Sequence, residues 1–290
     1  MTRHMDRKLT GWGSGLLGVV IFSGSLPATR VAVADFMPLF LTASRGMIAA
    51  LCGALCLLVL RQAWPGRQDL RGLAIVAAGV VIGFPLLTAL ALQHVTAARS
   101  VVFIGLLPLS TALFGVLRGG ERPRPAFWLF SGLGAAVVAG FALWQGGGGA
   151  GRGDLLMLAA VAVCGLGYAE GGLLSRRMGG WQVICWALLM AAPVMAVLVL
   201  VSWPGQFAQV TLPGWLSLGY VGLFSMLVGF VFWYRGLALG GIAGVGQLQL
   251  LQPFLGLALA ALVLKEPVAW PMVGCTGAVV LCVLGARRYA

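Results

Sequence analysis

Charge is what this sequence has least of. Only 9% of its 290 residues are Asp, Glu, Lys or Arg, against about 25% in soluble domains. Acids are scarcer than bases, 7 against 19, and there are 2 histidines. Hydrophobic residues take up 60% of the chain, and the mean hydropathy is +1.00. In water such a chain would expose apolar patches far larger than monomeric proteins carry. That excludes a soluble enzyme, a disordered tail and a fibrous protein. The chain reads as a polytopic membrane protein.

Other absences narrow the chemistry. There is no HExxH, no Ser/His/Asp set and no pair of catalytic carboxylates, so no enzyme is expected. The 6 cysteines all fall inside apolar runs, where thiols act as small soft hydrophobes. Cys52 and Cys56 could share a helix face, but no histidine accompanies them at metal-ligand spacing. Neither metal nor cofactor is expected. The net charge of +12 does not indicate nucleic acid, because the basic residues sit in gaps between apolar runs rather than on one solvated face. Gly13-Ser-Gly15-Leu-Leu-Gly18 is formally GxGxxG, yet no strand precedes it as a dinucleotide site requires. Gly11 and Gly15, like Gly79/Gly83 and Gly236/Gly240, have the GxxxG spacing that lets helix backbones approach.

What is present is a series of long apolar runs. A helix needs about 20 apolar residues to cross a bilayer, and ten segments qualify: 10–31, 36–60, 72–92, 97–117, 126–144, 154–174, 181–203, 214–237, 242–264 and 269–286. The basic start (Arg3, Arg7, Lys8) precedes a run too long for a cleaved signal peptide. Basic residues in short loops mark the cytoplasmic side. With the N-terminus inside, that side receives thirteen and the far side only Arg30, Arg99, Arg152 and Lys265. Both termini are therefore expected in the cytoplasm. The glycine-rich stretch 146–153 has the composition of a flexible linker. It separates an expected first half, 1–145, from a second, 154–290. Five spans per half would place the halves in opposite orientations, so a repeat must be inverted.

A repeat is visible. A shift of 145 positions lays Leu106 on Leu251, Pro108 on Pro253, Leu117 on Leu262 and Glu121 on Glu266. A further proline follows each acid closely, Pro123 and Pro267. This pattern resembles the EamA-type transporters of the drug/metabolite transporter superfamily. The pieces that carry the resemblance are Ala91-Leu92 and Gly236-Leu237, Pro108…Gly120-Glu121-Arg122-Pro123, Pro253…Lys265-Glu266-Pro267, and Arg45-Gly46. In that last pair glycine stands where the family's pattern has phenylalanine. The resemblance covers essentially the whole chain and is greatest to the YddG-type aromatic amino-acid exporters. It implies an all-α fold of ten membrane helices in two inverted five-helix halves around a central cavity. Spans five and ten would be peripheral. It also implies a multi-pass protein of the inner (plasma) membrane that exports small amphipathic metabolites, aromatic amino acids first. The partners implied are a small-molecule substrate and the lipid bilayer. A homo-oligomer stays open.

Ionisable groups inside a membrane are costly and by default functional. Arg45 lies about nine residues into span two, roughly 13 Å deep at 1.5 Å per residue. It either faces the cavity, where a guanidinium can grip a carboxylate, or ties down helix-end carbonyls. Glu170 lies within span six and Arg235 at similar depth in span eight. The two could pair as an inner gate, or each could snorkel to the interface. His94 reads as interfacial. Span nine is the most polar, with Gln247, Gln249 and Gln252 before Pro253; Gln249 and Gln252 share a face suited to a cavity wall or to interhelical bonding. Pro85, Pro108 and Pro253 are candidate hinges. Phe84, Tyr168, Trp186, Phe230 and Tyr234 can stack on an aromatic substrate or pack in the core. A quaternary-ammonium efflux carrier would want a buried acid early in the chain, and span one has none.

Overall fold

The computed structural model describes residues 2–91, 94, 103–145, 151–264 and 270–290. Among these every regular element is helical. We number ten rods. α1 is Thr2–Ser23, continued after Gly24 by Ser25–Ala32. α2 is Pro38–Val59 and α3 is Arg67–Ala91. α4 is Leu107–Gly119, α5 is Pro125–Gln145, α6 is Arg152–Ser175 and α7 is Gly180–Val201. α8 is Leu212–Gly240. α9 runs Ile242–Gly246, then a tighter 3₁₀ stretch Gln247–Leu251, then Gln252–Leu264. α10 is Trp270–Tyr289. The rods α1 (over Asp6–Thr29), α2, α3, α6, α7 and α8 are long and apolar enough to cross a membrane, and α4 and α5 are shorter apolar helices. Leucines and valines such as Leu58, Leu200 and Val201 lie exposed on the outside of the bundle, as a lipid-facing surface requires.

The packing shows the repeat. Exchanging the halves turns α1 into α6 and α8 into α3, and the two most intimate cross-half contacts are α1 on α8 and α6 on α3. The pairs α2–α7, α4–α9 and α5–α10 map onto themselves under the same exchange and are also in contact. Small residues allow the close crossings. A Cβ on Gly11 would stand 2.5 Å from the Gly240 nitrogen, and one on Gly236 would stand 2.7 Å from the Gly15 Cα. The two GxxxG pairs therefore meet each other, backbone on backbone. On the symmetry-related side a Gly79 Cβ would come within 2.3 Å of the Val163 carbonyl oxygen. Both α3 and α8 also lose the α-helical ladder to a π-helical stretch, at Ala77–Gly83 and Tyr220–Val228. The 145-residue shift lays the first on residues 222–228, inside the second. Such wide turns weaken a helix and are often found at functional positions.

Contacts at the helix ends show the inversion. The Arg287 guanidinium lies 5.0 Å from the Trp12 ring centre, so both termini share one end of the bundle. The C-terminus of α6 lies at that end too, tied to the end of α4, whereas α1 begins there. Equivalent helices thus run in opposite senses. At the other end Asp35, in the α1–α2 turn, accepts from the Thr211 backbone N–H at 3.0 Å and the Thr211 hydroxyl at 2.6 Å. Phe36, Phe40, Trp203, Phe207 and Trp215 form an aromatic layer beside it. α10 packs chiefly on α5 at the edge of the bundle, with Tyr289 stacked on Phe130 at 5.9 Å.

Candidate functional site

The broken helices meet around a cavity of about 400 Å³. It reaches from Val33 and Pro38, beside the α1–α2 turn, to a floor of Phe22, Tyr168 and Phe230. α3 contributes Phe84, Pro85 and Thr88, and α9 contributes Gln252 and Pro253 at the point where its 3₁₀ stretch ends. Pro253 has no N–H to return to the preceding turn, so a break in the ladder there comes without a lost donor. Pro108 holds the repeat-equivalent place, in the first turn of α4. It is buried next to the lining residue Leu107 and does not itself line the cavity.

Arg45 is half-buried in the cavity wall. Among the described residues its Nη2 approaches only the Met226 sulfur, at 3.6 Å, and its buried Nε–H finds no acceptor. A thioether is a weak acceptor. No carboxylate faces the guanidinium among the described residues, and none of the cavity's lining residues is acidic. Among the described residues no helix-end carbonyl is found to accept from Arg45.

The floor is aromatic. Phe22 and Phe230 have ring centres 4.9 Å apart, Tyr168 lies 6.0 Å from Phe230 and 5.5 Å from Trp233, and Phe230 lies 5.5 Å from Tyr234. Tyr234 fits because residue 171 is glycine: a Cβ there would stand 2.1 Å from the ring. The Tyr234 hydroxyl reaches toward the Gly167 carbonyl at 3.4 Å. Gln249 is buried beside the Tyr168 hydroxyl, yet neither end of its amide attains hydrogen-bonding geometry.

Beyond this floor, toward the end that holds the termini, lies a layer of ion pairs. Glu170, buried, pairs with Arg118 at the end of α4. This corrects the expected Glu170–Arg235 gate: Arg235 turns outward and is exposed. Helix register decides it, since Tyr234 takes the inward position on α8 and the next residue points about 100° away. Arg177 pairs with Asp69 at 2.7 Å. Gly120, with φ of 63°, ends α4 in the left-handed conformation that favours glycine and delivers Glu121 to the start of α9. There the Glu121 carboxylate accepts from the Ile242 and Ala243 backbone N–H groups, both at 2.8 Å, and from Arg176 at 2.8 Å. A carboxylate at a helix N-terminus is favoured by the unpaired amides and the helix dipole.

Of the proposed pathway residues, the fold brings Arg45, Phe84, Tyr168, Phe230 and Gln252 to the cavity. Tyr234 and Gln249 lie behind the floor. Trp186 is a correction: it is buried against Trp64, 4.9 Å away, and does not line the cavity. Gln252 lines the cavity, whereas Gln249, three residues earlier, is buried beside Tyr168. Of the hinge candidates Pro85 and Pro253 line the cavity. His94 is exposed, while Glu266, its neighbours and most of the glycine-rich linker lie outside the described residues. Reading the sequence missed Phe22, Met226 and Arg118. Arg118 stands one residue past the expected end of span four and was counted as a loop charge; its distance from Glu170 is set only by the α4–α6 contact.

An all-helical bundle of repeated, oppositely running halves, with a central cavity flanked by helix breaks, defines a multi-pass membrane carrier. The EamA-like transporter family model matches residues 9–143 and again 151–287, and the chain belongs to that family of the drug/metabolite transporter superfamily. It is a transporter and not an enzyme. The chain is 62% identical over 286 residues to the uncharacterized transporter YdeK of Bacillus subtilis (strain 168), covering 99% of this chain and all of that one. It is 27% identical over 242 residues to a protein of Streptantibioticus cattleyicolor described as a "Probable terminal-alkyne amino-acid exporter", covering 82% and 80% of the two chains. A protein of solved crystal structure superposes with a TM-score of 0.80 over 97% of this chain and 99% of that one. At 20% identity that likeness concerns the fold alone.

Proposed function

We propose that this transporter exports small aromatic carboxylates, aromatic amino acids being the first candidates, by alternating access. The observation that carries this reading is Arg45, a guanidinium in the cavity wall with no carboxylate partner among the described residues. Its planar fork suits a carboxylate, and Phe22, Phe84, Tyr168 and Phe230 offer ring faces within the same cavity. A volume of about 400 Å³ falls within the range of small-molecule sites, about 300–1,000 Å³. The resemblance to the YddG-type exporters and the description of the 27%-identical relative as an amino-acid exporter support the same substrate class. Pro85, Pro108 and Pro253 serve as hinges, and the Arg118–Glu170 and Glu121–Arg176 pairs close the pathway at the end holding the termini. With both termini in the cytoplasm, residues 1–145 and 154–290 as the halves and 146–153 as their linker, the cavity faces outward. A quaternary-ammonium efflux carrier is the weaker reading, because the lining residues offer no acid to the cation.

Reconstituted vesicles loaded with labelled phenylalanine or tryptophan test this. Protein-dependent movement, competed by the unlabelled compound and reduced many-fold in Arg45→Gln, is expected. Movement of a quaternary ammonium compound, with none of any aromatic carboxylate, would overturn it.

A further inference from the structure

The sequence has 7 acids, and the six described ones are committed elsewhere or distant from the cavity wall. Asp6 is exposed in the first turns of α1. Asp35 is held by Thr211, and Asp69 by Arg177. Glu121 is held by Arg176 and the α9 amides, and Glu170 by Arg118. Asp154 accepts from the Gly151 N–H at the start of α6. The seventh, Glu266, lies outside the described residues. Among the described residues the only charged one that lines the cavity is Arg45. The other polar groups there, including Gln252, Thr88 and Tyr168, are neutral.

From this we infer that the cavity discriminates against a substrate ammonium: among the aromatic carboxylates admitted, those without a charged amine bind more tightly than the corresponding amino acids. The inference rests on the carboxylate reading of Arg45 and sharpens it. A carboxylate neutralises the single guanidinium in a site of low dielectric, where such a pairing gains most. A zwitterion brings a second cation into the same space. Neutral oxygens of Gln252 or Thr88 can accept its N–H groups, but they do not balance its charge, and a buried charge without a counter-ion is costly. Binding an anion leaves the cavity neutral, while binding a zwitterion leaves it with its original net positive charge and an added desolvation penalty. Among the aromatic carboxylates the site admits, it therefore favours the deaminated or N-blocked acid over the amino acid.

Three ligands on one skeleton separate the charges: tryptophan, 3-(indol-3-yl)propanoate, which lacks its ammonium, and tryptamine, which lacks its carboxylate. Dissociation constants are measured by titration calorimetry on the full chain in phosphatidylcholine nanodiscs. The propanoate is expected to bind about tenfold or more tightly than tryptophan, with tryptamine weakest. Arg45→Gln should remove the tight propanoate binding, which simple partitioning of an apolar acid would not lose. Gln252→Glu, nearly isosteric, supplies an acid on the cavity wall and should bring tryptophan level with the propanoate. Tryptophan binding as tightly as the propanoate in the native chain, with both lost in Arg45→Gln, would overturn the inference and leave the carboxylate reading standing. An unchanged ratio in Gln252→Glu would also overturn it. Tryptamine binding tightest would overturn both.

Discussion

The Glu121 carboxylate caps the first turn of α9, accepting from the Ile242 and Ala243 amides at 2.8 Å each, so an acid of the first half fixes the start of a helix in the second. Arg176 completes the site. Glu121→Gln keeps one acceptor oxygen, replaces the other with a donor and loses the charge. It is expected to destabilise the protein by about 1–3 kcal/mol, read as a lower thermal midpoint in detergent. A midpoint equal to the native one would show that the cap contributes little.

Arg118 and Glu170 form a pair in which only the acid is buried. Arg118→Gln leaves a buried carboxylate without its cation and should cost about 1–3 kcal/mol, below the range for fully buried pairs because Arg118 is 43% exposed. The double variant Arg118→Gln/Glu170→Gln should recover most of that loss. A double-mutant cycle in thermal unfolding measures the coupling; strictly additive effects would mean the pair is not formed.

Gly171→Ala drives a methyl to within 2.1 Å of the Tyr234 ring. The ring must move, and overpacking of this kind costs about 1–3 kcal/mol. Because Tyr234 supports Phe230 at the cavity floor, transport should fall with stability. Gly132→Ala is the control, since nothing stands within 4 Å of its added carbon; a helical alanine there should be neutral or stabilising by a few tenths of a kcal/mol up to about 1. Equal losses in the two variants would refute the argument from packing.

Pro108→Ala and Pro253→Ala each restore a backbone donor at the break of a helix. Both proteins should assemble, with similar thermal midpoints, and transport more slowly. If both single variants transport at the native rate, neither break is a hinge.

A reporter active only outside the cytoplasm should be silent when fused after Ala290 and active when inserted near Gly149. The Arg287–Trp12 contact requires the two termini to share a side, so signal at the C-terminus would invert the whole assignment, not one helix of it.

Ten apolar runs separated by charges and glycines were enough to count the helices and to place most of their ends within a few residues, because a bilayer imposes its thickness on every segment independently; span one begins earlier, at Thr2, and α4 later, at Leu107, than expected. The spacing from Pro108 to Glu121, repeated from Pro253 to Glu266, likewise made the duplication legible, since covalent spacing survives any folding. What depended on rotation about helix axes did not follow. Two π-helical stretches shift the angular phase of everything beyond them. Periodicity of a regular helix therefore predicts the wrong face. Partners across helices were equally hidden: Glu170 met Arg118 rather than Arg235, and Trp186 met Trp64, because helix-to-helix register is set by which small residues interlock, here Gly11 with Gly240 and Gly79 with Val163. Local composition determined that the chain is a multi-pass membrane protein and where its apolar runs lie. Only the packing of one half against the other decided which charge faces the cavity.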